Sequence, residues 1–117
     1  MNNEMVNSKE DLELSFSESA YSKIPLGKHK ATFISYQIDN ERNVVVLTFN
    51  IDDYDVKLNL RRRKNLNKKS AFNNSVEAFG AYTPKCKLSD LLEEQVMADI
   101  QKDENNYLVI REIHPVE

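Results

Sequence analysis

Val44-Val45-Val46-Leu47-Thr48-Phe49-Asn50-Ile51, then Asp52-Asp53, then Tyr54-Asp55-Val56-Lys57-Leu58-Asn59-Leu60-Arg61 is the stretch that decides the fold. Val45, Leu47, Phe49 and Ile51 fall on one face of an extended chain, and Val44, Val46, Thr48 and Asn50 on the other. Successive strand side chains point to opposite sides, so this spacing predicts a half-buried strand. Tyr54, Val56, Leu58 and Leu60 alternate in the same way with Asp55, Lys57, Asn59 and Arg61. Two such runs joined by a short acidic link predict a β-hairpin.

Upstream, Ile24-Pro25-Leu26-Gly27 is a turn: proline fixes φ and glycine is free to take φ > 0. A first strand over 28–38 follows, with His29, Ala31 and Phe33 facing an inferred interior and Lys30, Thr32 and Ile34 facing out. Asp39-Asn40-Glu41-Arg42-Asn43 is a polar turn into the hairpin.

Downstream the period changes. Phe72, Val76 and Phe79 recur at helical spacing after Ser70, a good N-cap. Gly80 and Pro84 stand where a helix would stop, so a helix of about three turns is expected. Asp90 with Glu93 resembles a capping box and predicts a single helical turn. Val96, Ala98 and Ile100 then alternate with Met97, Asp99 and Gln101, which suits a strand. A longer helix using Leu88, Leu92, Val96 and Ile100 competes with it. Asp103–Asn106 reads as a turn, and 107–113 as the return strand, ended by Pro115.

The expected order is three strands, a helix and two strands. That is the order of the OB-fold, a five-stranded Greek-key barrel with its helix between strands 3 and 4. An α/β-roll can be built from the same order. At 117 residues, with 40% hydrophobic and 30% charged residues, one domain is expected over 21–117. Residues 1–20, rich in Asn, Ser and Glu, are expected as a flexible acidic arm, with Leu12, Leu14 and Phe16 able to add a short strand.

Net charge is −3, but its distribution is uneven. Residues 1–20 balance at −4, 21–56 at −1 and 88–117 at −6. Between them, residues 57–87 hold nine basic residues against Glu77 alone, a balance of +8. Localised positive charge, not overall pI, decides whether a polyanion can dock.

Several function classes find no support. The longest apolar run, Val44–Leu47, is far short of a membrane span, and the Met1 end lacks the basic start of a signal peptide. One cysteine, Cys86, excludes an intrachain disulfide and suits the cytoplasm. His29 and His114 stand far apart, so no metal site is expected; Asp52, Asp53 and Asp55 are expected to shape a turn. Two glycines cannot form a phosphate loop. Cys86, between Lys85 and Lys87, is expected to be reactive rather than catalytic. No enzyme and no cofactor are expected.

Pro25-Leu26-Gly27-Lys28-His29-Lys30-Ala31, Leu47-Thr48-Phe49-Asn50-Ile51, Leu88-Ser89-Asp90-Leu91-Leu92 and Ile113-His114-Pro115 give the chain a resemblance. Over roughly residues 24–116 it resembles the OB-fold single-stranded-DNA-binding proteins of phages and mobile elements of Gram-positive bacteria, of the lactococcal phage type. Two features depart from the pattern. Glu93-Glu94 replaces a glycine before the fourth strand, and the chain ends His114-Pro115-Val116-Glu117 rather than in an acidic, Phe-ended tail.

The resemblance implies binding of single-stranded DNA in replication or recombination, in the host cytoplasm, with replication or recombination proteins as further partners. A homodimer is expected, since one domain offers a short site. A strand held without sequence readout needs cations along a groove and flat side chains within it. The candidate cations are Lys30, Lys57, Arg61, Arg62, Arg63, Lys64, Lys68 and Lys69, with Asn50 and Asn59 as hydrogen-bonding partners. Tyr36 and then Tyr82 are the candidates for stacking, although both could simply cover the rim of the barrel. Phe33, Phe49, Phe72 and Phe79 are expected in the core, and Tyr54 at its edge. The alternative is a phage-encoded protein-binding module, an inhibitor or DNA mimic that presents the acidic segments to a host nucleic-acid enzyme.

Overall fold

A computed structural model describes residues 23–116. The expected acidic arm over 1–20 lies outside the described residues.

Five strands form one sheet: β1 (Gly27–Asp39), β2 (Val44–Ile51), β3 (Val56–Arg63), β4 (Gln95–Lys102) and β5 (Leu108–His114). Their order across the sheet is β3-β2-β1-β4-β5, with every neighbouring pair antiparallel. The long β1 serves both halves, pairing with β4 over its first residues and with β2 from Ala31 onward. The predicted β2–β3 hairpin is present, with Ile51 opposite Val56. Strand β3 starts at Val56 rather than Tyr54, because residues 52–55 form the turn, and it continues through Arg62 and Arg63. Residues 96–101 are strand, so the competing long helix is not formed.

No glycine closes the hairpins. Asn43, Asp55 and Asn106 take left-handed conformations there, with φ of 58°, 53° and 70°. Asn and Asp visit this region more readily than other side chains. Gly27 uses its expected freedom, at φ 117°.

The helical segments are shorter than the pattern predicts. Ser70 is the N-cap, accepting from the Asn73 N–H, but α1 spans only Ala71–Val76. Bonds from Ala78 N–H to Ser75 O and from Phe79 N–H to Val76 O replace the expected third turn. This tighter winding brings both Ala78 and Phe79 to the core, where a regular α-helix would turn Ala78 outward. Gly80 is therefore not a left-handed cap. A 3-10 turn covers Leu88–Leu91. Asp90 sits inside it and accepts from the Lys87 N–H rather than pairing with Glu93.

Phe33, Leu47, Phe49, Ile51, Leu60, Val96 and Ile100 are fully buried on the concave side of the sheet. Phe79 closes over them, its ring 5.3 Å from Phe33 and 6.1 Å from Phe49, near parallel to the latter. His29 is not interior: it is half-buried at the edge, with Nε2 2.6 Å from the Pro25 carbonyl and its ring edge-on to Tyr54.

The sheet is irregular at one central point. The β1–β2 register shifts between Phe33 and Ser35, a bulge at Ile34. Phe33 N–H donates to Glu94 O at 2.9 Å, and Glu93 N–H donates to Phe33 O at 2.7 Å. To reach this position Glu93 adopts φ 75°, in the left-handed region that favours glycine. Replacing Glu93 with Gly should therefore raise stability by about 1 kcal/mol. Thermal unfolding should shift up by a few degrees; an unchanged or lowered midpoint would show that the glutamate is not strained.

The edge strands β3 and β5 approach each other without backbone pairing, so the sheet is not closed. The Arg62 side chain spans the gap, donating from Nη2 to Arg111 O at 2.7 Å.

Candidate nucleic-acid interface

The convex side of β1, β2 and β3 is polar. Register sets its rows: Lys57, Asn50 and Thr32 form one, Asn59, Thr48 and Ser35 the next, then Arg61, Val46 and Gln37, then Arg63, Val44 and Asp39. Lys57, Asn59, Arg61 and Arg63 therefore line up along β3, side by side and exposed. Val44 and Val46 are only half-buried beside them and offer a flat apolar strip between cations.

The two asparagines are held by neighbours. Asn59 Oδ1 accepts from Thr48 Oγ1 at 2.9 Å. Asn50 Nδ2 donates to Asp52 at 3.3 Å. Asp52 also accepts from Thr32 Oγ1 and from Gln95 Nε2, tying three strands together at that end of the face. Here Asp52 does more than shape a turn. Its carboxylate makes this end of the face the less attractive one for phosphate. Lys30 lies one row beyond, opposite Met97 on β4 and so away from the arginines.

At the other end charge accumulates. Arg42, Val44, Arg61, Arg62 and Arg63 line a cleft of about 210 Å³. Arg42 was not among the sequence candidates, yet the antiparallel hairpin places it beside the end of β3, where Val44 pairs with Arg63. Its ion pair with Asp39 is long, 3.9 Å, and open to solvent. Such a pair contributes little. The guanidinium groups of Arg61 and Arg63 make no hydrogen bond or ion pair with any described residue. Lys64, the residue after β3, donates to Asn40 Oδ1 at 2.8 Å.

Lys68 and Lys69 lie in the connection to α1, where Asn65 and Asn67 side chains accept from backbone N–H groups two residues on and Ser70 Oγ donates to Asn65 O. Both lysine residues are exposed.

Three candidates are placed elsewhere. Arg62 points inward from β3, opposite buried Val45, and donates from Nε to Ser75 Oγ at 3.1 Å as well as to Arg61 O and Arg111 O. Burial pushes its pKa below the usual arginine value, partly offset by Glu112. It is a strut of the fold. Tyr36 is turned by the bulge onto the concave side, opposite Leu47 and 6.1 Å from Phe33, not onto the cationic face. Tyr82 packs half-buried against the core, its hydroxyl donating to Asn73 Oδ1 at 3.4 Å.

Elsewhere, a cavity of about 680 Å³ beside Thr32 and Gln95 is bordered by Glu93 and Glu94 and would repel a polyanion. Among the described residues no group of three His, Cys, Asp or Glu side chains could hold a metal ion. No described helix is long and apolar enough to cross a membrane.

No protein-family model matches the chain, and no curated protein matches it.

Proposed function

We propose that this protein is a non-enzymatic binder of single-stranded DNA, built on an OB-type sheet and acting in phage replication or recombination. One observation carries the reading: Arg61 and Arg63 stand in a row with Lys57 on an open convex face, with Arg42 in the same cleft and Lys64 next in the chain, and neither arginine is paired with a described carboxylate. The strand order supports an OB-type arrangement, in which ligand crosses strands 2 and 3.

A single strand exposes phosphates and unstacked bases together. Cations with a half-exposed apolar strip between them suit both, whereas a convex sheet face without a groove-penetrating helix or ribbon offers little to a duplex. Phosphates would sit along Arg42, Arg61, Arg63 and Lys64, with bases over Val44 and Val46. None of these contacts reads base edges, so binding is expected to tolerate any sequence.

Fluorescence anisotropy with an oligothymidylate and a duplex of equal length tests this. The single strand should bind at least tenfold tighter, and replacing Arg61 and Arg63 together by Ala should remove most of that affinity. Equal affinity for both forms, or an unaffected double variant, would overturn the proposal.

A further inference from the structure

Beyond the end of the cationic row lies a second feature of different chemistry. A cavity of about 390 Å³ opens between the end of β1, the β3–α1 connection, α1 and the segment leading to the 3-10 turn. Its walls include Ile38, Val45, Phe72, Tyr82, Pro84 and Leu88, and its polar lining consists of Lys64, Lys87, Asn65 and Asn73. No carboxylate of a described residue lines it. Two of its side chains are costly where they stand: Leu66 is 78% exposed and Ile38 44% exposed. Apolar side chains left in water beside a pocket gain by meeting a ligand.

The lining specifies that ligand. An apolar slot with two ammonium groups and no acid fits a flat, weakly polar body attached to negative charge. A nucleobase on its phosphodiester chain has this composition, and a pocket of this size admits one with its sugar. Lys64 follows Arg63 at the end of β3, and Ile38 of this cavity also borders the cleft of Arg42, Val44, Val46 and Arg61, so a strand leaving the convex face meets the mouth next. We propose that the cavity is a nucleobase pocket, taking one unstacked base of the bound strand, with the adjoining phosphates held by Lys64 and Lys87. The inference rests on the single-strand reading above and adds a specific insertion site to it.

Cys86, the single cysteine, lines this cavity and is half-buried there, which makes the pocket addressable. The rate of alkylation of the full chain by N-ethylmaleimide should fall at least tenfold with saturating oligothymidylate. An abasic oligomer of the same length, carrying the same phosphates, should leave the rate nearly unchanged. Anisotropy measured in parallel reports binding itself. Oligothymidylate that binds without slowing alkylation would overturn the pocket and leave the convex face intact. Equal protection by the abasic oligomer would also overturn it, since phosphates alone would then cover the mouth. Failure of oligothymidylate to bind would overturn both readings. Replacing the solvent-exposed Leu66 by Ala should weaken oligothymidylate about fivefold and spare the abasic oligomer; equal weakening of both would count against base insertion.

Discussion

Raising salt from 50 to 200 mM should weaken oligothymidylate binding about 50-fold. The figure follows from about four phosphate partners, Arg42, Arg61, Arg63 and Lys64, and a slope of about −0.7 per phosphate for a single strand. Each neutralised phosphate releases condensed counterions, and the gain shrinks as the bulk fills with salt. Removing Arg61 and Arg63 together should halve the slope and reduce the same loss to about sevenfold. Both effects are read from binding isotherms at four or five salt concentrations. A flat response in the natural chain would mean that the cations do not meet phosphate.

Arg62→Ala should behave in the opposite way: about 2–3 kcal/mol of stability lost, and the salt slope unchanged. Its guanidinium donates to Ser75 Oγ, Arg61 O and Arg111 O, linking β3 to α1 and to the edge of β5. Hydrogen bonds from a charged donor are among the stronger ones, and truncation leaves their acceptors unpaired where burial limits replacement by water. Since the gap between β3 and β5 has no backbone pairing, this side chain is a direct hydrogen-bonded link across it. Arg62→Met, which keeps much of the apolar stem, should recover part of the loss. Denaturant unfolding measures the stability, and isotherms on the folded variants measure the slope. A variant as stable as the natural chain with a shallower slope would return Arg62 to the cationic face. Three adjacent arginines thus divide into two roles according to strand parity alone.

The acidic flanks bear on the same face only weakly within the described residues. Among the described residues, Arg42–Asp39 and His114–Glu112 are ion pairs, both 3.9 Å long, and neither involves Arg61 or Arg63. Two carboxylates meet the convex face at opposite ends: Asp39 in the row of Arg63 and Val44, and Asp52 at the far end, where its partners are hydroxyl and amide groups.

The alternation of Val45, Leu47, Phe49 and Ile51, and of Val56, Leu58 and Leu60, was sufficient by itself to place both strands, their hairpin and their buried faces. A one-residue slip would turn every apolar side chain outward, so such a pattern admits only one register. The same parity put Lys57, Asn59 and Arg61 on the opposite side, and would have assigned Arg62 inward had the strand been extended by two residues. Tyr36 could not be read this way. Its side depends on a bulge whose hydrogen bonds come from Glu93 and Glu94, nearly sixty residues along the chain, and local periodicity carries no trace of such a partner. The end of α1 is similar: the tight turns after Val76 arise because both Ala78 and Phe79 must be buried against the sheet. The apolar cavity is the most non-local feature, since β1, β2, the β3–α1 connection, α1 and the 3-10 turn each contribute to it. Periodicity reports which face a residue occupies within its own element; only packing between elements decides what space they enclose.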